Sequence, residues 1–312
     1  MRIGIDARFY GSIGKGLGRY TEKLIEHLEQ IDQENEYFIF LRRENFDEYT
    51  PKYPNFRKVL ADYAWYGFAE QTIYVWLLYR FRCDIVHFPH FNVPFLYRRT
   101  FVVTIHDLIL VRYPTIRNTT RMAWIYRLKF LAYRLIIASA IRRAREVITV
   151  SEFTASDIAS RYPHAKEKLV VTYEAADAFC HFVPRGEENS VLDQLGLLRK
   201  PSGAEIAPER GILQSYFLYV GNAYPHKHLE FLIDLSAWFP EHQFVLVGKE
   251  DYFYARLKRY ALDHGRKNVL FTGFAPDRSL SVLYKNACAY LFPSLYEGFG
   301  LPPLEAMTYG LP

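Results

Sequence analysis

The sequence predicts an α/β protein of two doubly wound, Rossmann-like domains, each built on a parallel sheet. Three observations predict it. Short apolar runs of strand length alternate with longer helical patterns along nearly the whole chain, the order that places helices on the faces of a parallel sheet. The runs fall into two series, separated by a stretch from Pro184 to Gln214 that is richer in charge, Gly and Pro. At 312 residues, 50% of them apolar, the chain exceeds what one core usually covers and has material for two.

The first series opens with IGID (Ile3 to Asp6), a strand, followed by the loop ARFYGSIGKGLGRY and a helix carrying Leu24, Leu28 and Ile31 at roughly helical spacing. EYFIFL, RKVLA, DIVHF, TFVVTIH and EVITVS read as further strands, being short runs dominated by β-branched and aromatic residues. Between the last two, the segment from Leu108 to Arg145 holds no Asp or Glu, yet it contains Arg112, Arg117, Arg121, Arg127, Lys129, Arg134, Arg142, Arg143 and Arg145. On a helix there, Tyr126, Phe130, Tyr133 and Ile137 form one stripe, while Trp124, Leu128, Leu131 and Leu135 form a second on the far side. One face can pack on the sheet. The other, flanked by arginines, suits an anionic membrane surface or a lipid-linked acceptor; a helix buried on both faces, with arginines at its ends, is the competing reading.

The second series is YFLYVG, QFVLVG, NVLFTG and CAYLFP, each followed by a helical or loop segment. The intervening stretch, with KPSGAEIAPERG at its centre, reads as a surface loop or insertion. The expected domains are therefore 1–175 and 176–312.

Several function classes lose support at once. The formal charge is only +5 and no nucleic-acid-binding module accompanies the basic segment. No apolar stretch of about 20 residues exists to cross a membrane, and Met1-Arg2 runs straight into IGIDAR, so the expectation is a cytoplasmic protein able to sit peripherally on the inner face of the membrane. Cys83, Cys180 and Cys288 are odd in number, far apart and without C-x-x-C spacing, which argues against disulfides and structural zinc. Cys288, at the start of an apolar run, is expected in the core.

The chemistry concentrates near the C-terminus, where Glu297 and Glu305 bracket EGFGLPPLEAM. AYLFPS before it reads as a buried strand. Gly298 and Gly300 permit a tight turn, and Pro302 and Pro303 suit the first turn of a helix, where a missing N–H costs nothing. Strand, glycine turn and helix N-terminus together suit an anion: amides of Gly298, Phe299, Gly300 and Leu301 would point at a diphosphate, and the two carboxylates would accept hydrogen bonds from hydroxyls. Phosphate plus polyol suggests a nucleotide sugar; an ordinary βα turn with solvated carboxylates is the bland alternative.

Other candidates follow strand ends. Gly11, Gly14, Gly16 and Gly18 lie within eight residues, although Lys15 lacks the Ser or Thr of a phosphate loop and the spacing misses G-x-G-x-x-G. Such glycines would let backbone amides approach phosphate. His87 and His90 end DIVHFPH, and His106 with Asp107 end VVTIHD, where ligands of open α/β sheets gather. In YVGNAYPHKHLEFLI, Lys227 enters the next helix and could neutralise a leaving diphosphate. No histidine pair has zinc-site spacing such as H-E-x-x-H.

The paired-glutamate segment and YVGNAYPHK resemble the donor-site signatures of retaining glycosyltransferases of the GT-B fold, in family 4, also called glycosyl transferases group 1. The resemblance spans nearly the whole chain, from IGIDAR to GLP. It implies two Rossmann-like domains facing across a cleft, an acceptor-side first domain and a nucleotide-sugar donor domain. It implies Glu297 near the transferred sugar, Glu305 on the ribose and His106 at the reaction centre with Glu297. Gly16, Gly18, Lys227 and residues 298–301 would bind the donor, and His87 and Asp107 would lie on the acceptor side. The chain departs from the family pattern at His226, where Arg is frequent, and at His228, where Asn is frequent.

The implied reaction moves a hexose, mannose or glucose, from a nucleoside-diphosphate sugar to a glycan or lipid-linked hydroxyl in cell-envelope polysaccharide biosynthesis. It uses no metal and no cofactor beyond the co-substrate. Relatives continue past GLP, so the second domain is expected to be C-terminally truncated, and a nucleotide-sugar- or partner-binding fragment is one alternative. An epimerase or phosphorylase on the same architecture is the other.

Overall fold

The computed structural model describes residues 1–113, 123–176, 183–199 and 212–312. They form two compact units, Met1–Glu174 and Ala175–Pro312. Arg117, Arg121 and the KPSGAEIAPERG segment lie outside the described residues.

Among the described residues the first unit has a seven-stranded sheet. Its strands are β1 (Arg2–Asp6), β2 (Glu36–Leu41), β3 (Phe56–Leu60), β4 (Ile85–Phe88), β5 (Phe101–Ile105), β6 (Glu146–Thr149) and β7 (Leu169–Val171). The order is β3-β2-β1-β4-β5-β6-β7, and every pairing is parallel. β7 escaped the sequence reading because LVV is too short to show a period. Both faces are covered, as an all-parallel sheet requires. Along β2, Phe38 and Phe40 join one core, while Tyr37, Ile39 and Leu41 join the other. Strand order reverses between β1 and β4, and the loops leaving those two strands flank the crevice that such a reversal opens.

The glycine segment is not the loop that the sequence suggests. Gly11–Gly14 form a 3-10 turn and helix α1 (Lys15–Ile31) begins at once, so Gly16 and Gly18 are helical. A side chain at Gly18 would meet the carbonyl oxygens of Phe9 and Gly11 at 2.5 and 2.1 Å, so a glycine there lets the turn pack on the helix. The remaining helices of this unit are α2 (Val75–Phe81), entered through a π-helical turn at Glu70–Tyr74, α3 (Ile109–Arg112), α4 (Ala123–Arg143) and α5 (Glu152–Arg161). Ser151 caps α5 by accepting a hydrogen bond from Thr154 N at 3.1 Å.

The second unit carries α6 (Arg185–Gln194), β8 (Leu198–Arg199), β9 (Ile212–Leu213), β10 (Tyr216–Val220), α7 (Leu229–Leu235), β11 (Gln243–Val247), α8 (Tyr252–Asp263), β12 (Val269–Gly273), α9 (Asp277–Asn286), β13 (Ala289–Tyr290) and α10 (Leu301–Thr308). Its main sheet, β12-β11-β10-β13, is again parallel and covered on both faces, with Phe244 and Leu246 in one core and Val245 and Val247 in the other. Strand order reverses between β10 and β13.

Three expectations need correction here. The stretch 184–214 is not wholly loop: it supplies α6 and the antiparallel β8–β9 pair, and Leu192 and Leu197 enter the core. CAYLFP yields a two-residue strand, because Pro293 and the coming turn stop the ladder after Tyr290. Cys288 is exposed, with its Sγ 2.9 Å from Ser215 Oγ.

Candidate active site

In the second unit the chain leaves β10 through Gly221, makes a 3-10 turn at Pro225–Lys227 and reverses at His228, whose φ is 53°. That left-handed conformation favours Gly or Asn but tolerates His, and it turns the chain into α7. Lys227 therefore sits before the helix, not in it. Across the strand reversal, the segment from Leu291 to Gly300 links β13 to α10, and Leu295 N donates to His226 O at 2.8 Å. The two loops are thus tied together by backbone.

This brings Lys227 and Glu297 into an ion pair, with side chains 13% and 19% exposed. The Phe292 ring lies 5.9 Å from Lys227 Nζ. Gly300, at φ 92°, adopts a conformation that side chains resist, and it starts α10 with two prolines in the first turn. Gly298, Phe299, Gly300 and Leu301 form the turn between Glu297 and the helix. One turn further on, Glu305 Oε2 accepts a hydrogen bond from Tyr284 Oη at 3.2 Å. His226 is buried, and its imidazole is pushed down to about 4, first by burial and then by the charge of Lys227. A cation and a carboxylate thus meet at the carboxyl end of this sheet, with a second carboxylate one turn into α10, an arrangement able to hold a diphosphate and hydroxyls.

In the first unit His106 follows β5. Its Nδ1 lies 3.1 Å from Glu174 Oε1 and its Nε2 lies 3.0 Å from Pro89 O. Tyr20 stands edge-on to the ring at 4.7 Å between centroids. The carboxylate beside His106 is therefore Glu174 and not its neighbour Asp107, whose Oδ1 accepts from Ile109 N at 2.8 Å. His87 lies near the end of β4. It is buried, its Nε2 lies 2.8 Å from Thr104 Oγ1, and burial pushes it down to about 4, with the charge of His106 adding to the effect. Its ring ties the end of β4 to Thr104 on β5. Gly16 faces open space at the start of α1.

A buried charge network went unread in the sequence. Arg8 Nε and Nη2 donate to Asp6 at 2.8 Å, Arg8 Nη2 donates to Glu70 at 2.6 Å, and Asn92 Nδ2 donates to Glu70 at 2.7 Å. The guanidinium also lies over the Tyr74 ring at 4.0 Å. Burial raises the carboxyl of Glu70, and Arg8 opposes that shift. The network straps the loop after β1 and the loop after β4 to the π-helical turn, fixing both sides of the strand reversal. The only hint in the sequence was a strand running into D-A-R.

On α4, Ile137 is buried and Tyr133 packs on Phe91 at 4.9 Å, while Leu131 and Leu135 are exposed beside exposed Arg127 and Arg134. Two of the arginines serve the fold. Arg112 pairs with Asp157, and Arg143 donates to the carbonyl of Tyr97. Among the described residues no helix is long and apolar enough to cross a membrane, and no three His, Cys, Asp or Glu converge as a metal site.

Comparison with known sequences decides the family. Residues 14–178 match the profile described as Glycosyltransferase Family 4, and residues 210–312 match that of Glycosyl transferases group 1. The chain belongs to glycosyltransferase family 4. It is an enzyme of the hexosyltransferase kind, and its fold is GT-B. O-antigen chain mannosyltransferase B of Escherichia coli is 25% identical over 321 residues, covering 95% of this chain and 77% of that protein. O-antigen chain mannosyltransferase RfbU of Salmonella typhimurium is 27% identical over 226 residues, covering 72% of this glycosyltransferase and 53% of its own length. Among solved structures, Anabaena HepE in complex with UDP and glucose superposes with a TM-score of 0.66 at 17% identity, covering 100% of this chain and 79% of that one. WaaG, a glycosyltransferase involved in lipopolysaccharide biosynthesis, gives 0.64 at 15%, covering 100% and 80%. At these identities the likeness shows the shared fold.

Proposed function

We propose that this glycosyltransferase moves a hexose, with mannose favoured, from a nucleoside-diphosphate sugar to a hydroxyl of a glycan or lipid-linked acceptor, with retained anomeric configuration. One observation carries it: Lys227 and Glu297, 70 positions apart, meet at the strand reversal of the second unit, in the loop that leads into the helix bearing Glu305. Lys227 and the amides of residues 298–301 meet the charge that develops on the departing diphosphate. Glu305, steadied by Tyr284, accepts hydrogen bonds from the ribose. Glu297 and His106 orient the sugar, and Gly16 and Gly18 present the start of α1 to the phosphates. The departing phosphate takes the proton of the incoming hydroxyl on the same face. The protein thus supplies positioning and charge stabilisation, and the reaction uses the nucleotide sugar without a metal or a further cofactor. The mannosyl preference is supported by the names of the two O-antigen relatives.

The exposed face of α4, with Leu131, Leu135, Arg127 and Arg134, rests on an anionic membrane in this scheme, which places the enzyme peripherally at the inner face. Incubation with a panel of labelled nucleotide sugars and glycan or lipid-linked acceptors, in EDTA, tests the scheme. The expected result is an extended glycan carrying the donor's anomeric configuration by NMR coupling constants. Free sugar phosphate, an epimerised nucleotide sugar, an inverted linkage or binding without turnover would each refute it.

A further inference from the structure

We propose that Glu174 is the positioning residue for His106, setting which ring nitrogen carries the proton and how the ring is aimed. This rests on the reading above that His106 acts beside the transferred sugar. Three elements hold the imidazole: Pro89 after β4, Tyr20 on α1 and Glu174 after β7. The backbone is held too, since Thr154 Oγ1 donates to His106 O at 3.2 Å. The ring's remaining freedom is therefore its side-chain rotation, and of its three neighbours only Glu174 is charged.

The chemistry of the two nitrogens follows. A carboxylate only accepts hydrogen bonds, and a charged acceptor is the stronger one. A ring carrying one proton accordingly holds it on Nδ1 toward Glu174, and a ring carrying two satisfies both oxygens. In the singly protonated case Nε2 and Pro89 O are two acceptors side by side, 3.0 Å apart. The carboxylate in contact with Nδ1 is Glu174, whereas Asp107 Oδ1 accepts from Ile109 N at the start of α3. The Glu174 side chain is 13% exposed, so its hydrogen bond is little competed by water. Glu174 is also the last residue of the first unit, with the chain entering the second at Ala175, so the residue that aims the histidine begins the connection between units.

The test is a double-mutant cycle on the full chain with nucleotide sugar and acceptor, measured as kcat and donor KM alongside Tm. Glu174→Ala is expected to lower kcat by roughly tenfold to a hundredfold, the scale for misplacing a group by about 1 Å, with donor KM and Tm close to wild type. Glu174→Gln, which keeps an acceptor oxygen, recovers most of that loss. In a His106→Ala background, Glu174→Ala has no further effect. Equal losses in both backgrounds, or a Gln variant no better than Ala, would overturn the positioning role while leaving His106 in place. Wild-type turnover by His106→Ala overturns the reading of His106 and this inference with it.

Discussion

Replacing Glu297 by Gln separates two demands made on one lysine. In the free protein Lys227 is already engaged by Glu297, so an arriving diphosphate competes with an internal carboxylate. A hydrogen bond to a charged group contributes about 1.5–3 kcal/mol. The side chains keep 13% and 19% of their exposure, so water screens part of that, and an ammonium has further donors to offer. About 1 kcal/mol is then the share that a diphosphate must displace, corresponding to about a fivefold change in Kd. Glu297→Gln is nearly isosteric and keeps a hydrogen-bond acceptor, but it releases the charge. The expected outcome is about fivefold tighter binding of the nucleoside diphosphate by titration calorimetry, together with lower turnover of the nucleotide sugar, because the carboxylate that orients the hexose is gone. Salt should diminish the gain. Unchanged or weaker diphosphate binding would refute the competition, and undiminished turnover would refute the sugar-orienting role.

Three more outcomes are expected. Gly16→Ala meets no atom within 4 Å, whereas Gly18→Ala meets two carbonyl oxygens; in thermal unfolding the first should stabilise by about 0.5–1 kcal/mol and the second destabilise, while weaker donor binding in the stabilised Gly16 variant would show that the glycine is kept for ligand approach. Tyr284→Phe removes the hydrogen bond to Glu305 and should weaken donor binding about threefold to tenfold with little change in kcat, on the scale of a bond worth about 1 kcal/mol; a fall in kcat alone would contradict the ribose assignment. His87 is held at about 4 against an ordinary 6.5, so between those values the unfolded chain binds the extra proton. Its contribution to stability is full above about pH 6.5 and is lost as pH falls toward about 4, with a slope of at most about 1.4 kcal/mol per pH unit. Denaturant midpoints of His87→Gln should show a shallower acid slope than wild type, and an equal slope would dismiss this histidine as a source of acid sensitivity.

Much of the fold was legible because it rests on local signals. β2, β5 and β11 announce themselves as short apolar runs, and α1 by its spacing of Leu24, Leu28 and Ile31. Where the pattern was short or glycine-rich, it misled: β7 has three residues, β13 has two, and Gly16 and Gly18 lie in a helix that their propensity disfavours. The basic segment shows its two stripes in the sequence, but not that Arg112 on α3 and Arg143 on α4 turn to Asp157 and to a backbone carbonyl, partners that no period can reveal.

The sequence by itself determined the alternation of strands and helices, the two series, and the residue types gathered at strand ends, since all of these follow from short-range periodicity and turn chemistry. Only the tertiary structure decided which of those residues meet. Lys227 finds Glu297 because the parallel pairing of β13 beside β10 opens a strand reversal between them. His106 finds Glu174, and not the adjacent Asp107, because β7 joins β6 at the far edge of the sheet. His87, at a strand end as the sequence indicates, points into the interior, because successive side chains of a strand alternate between faces and a buried parallel sheet covers both.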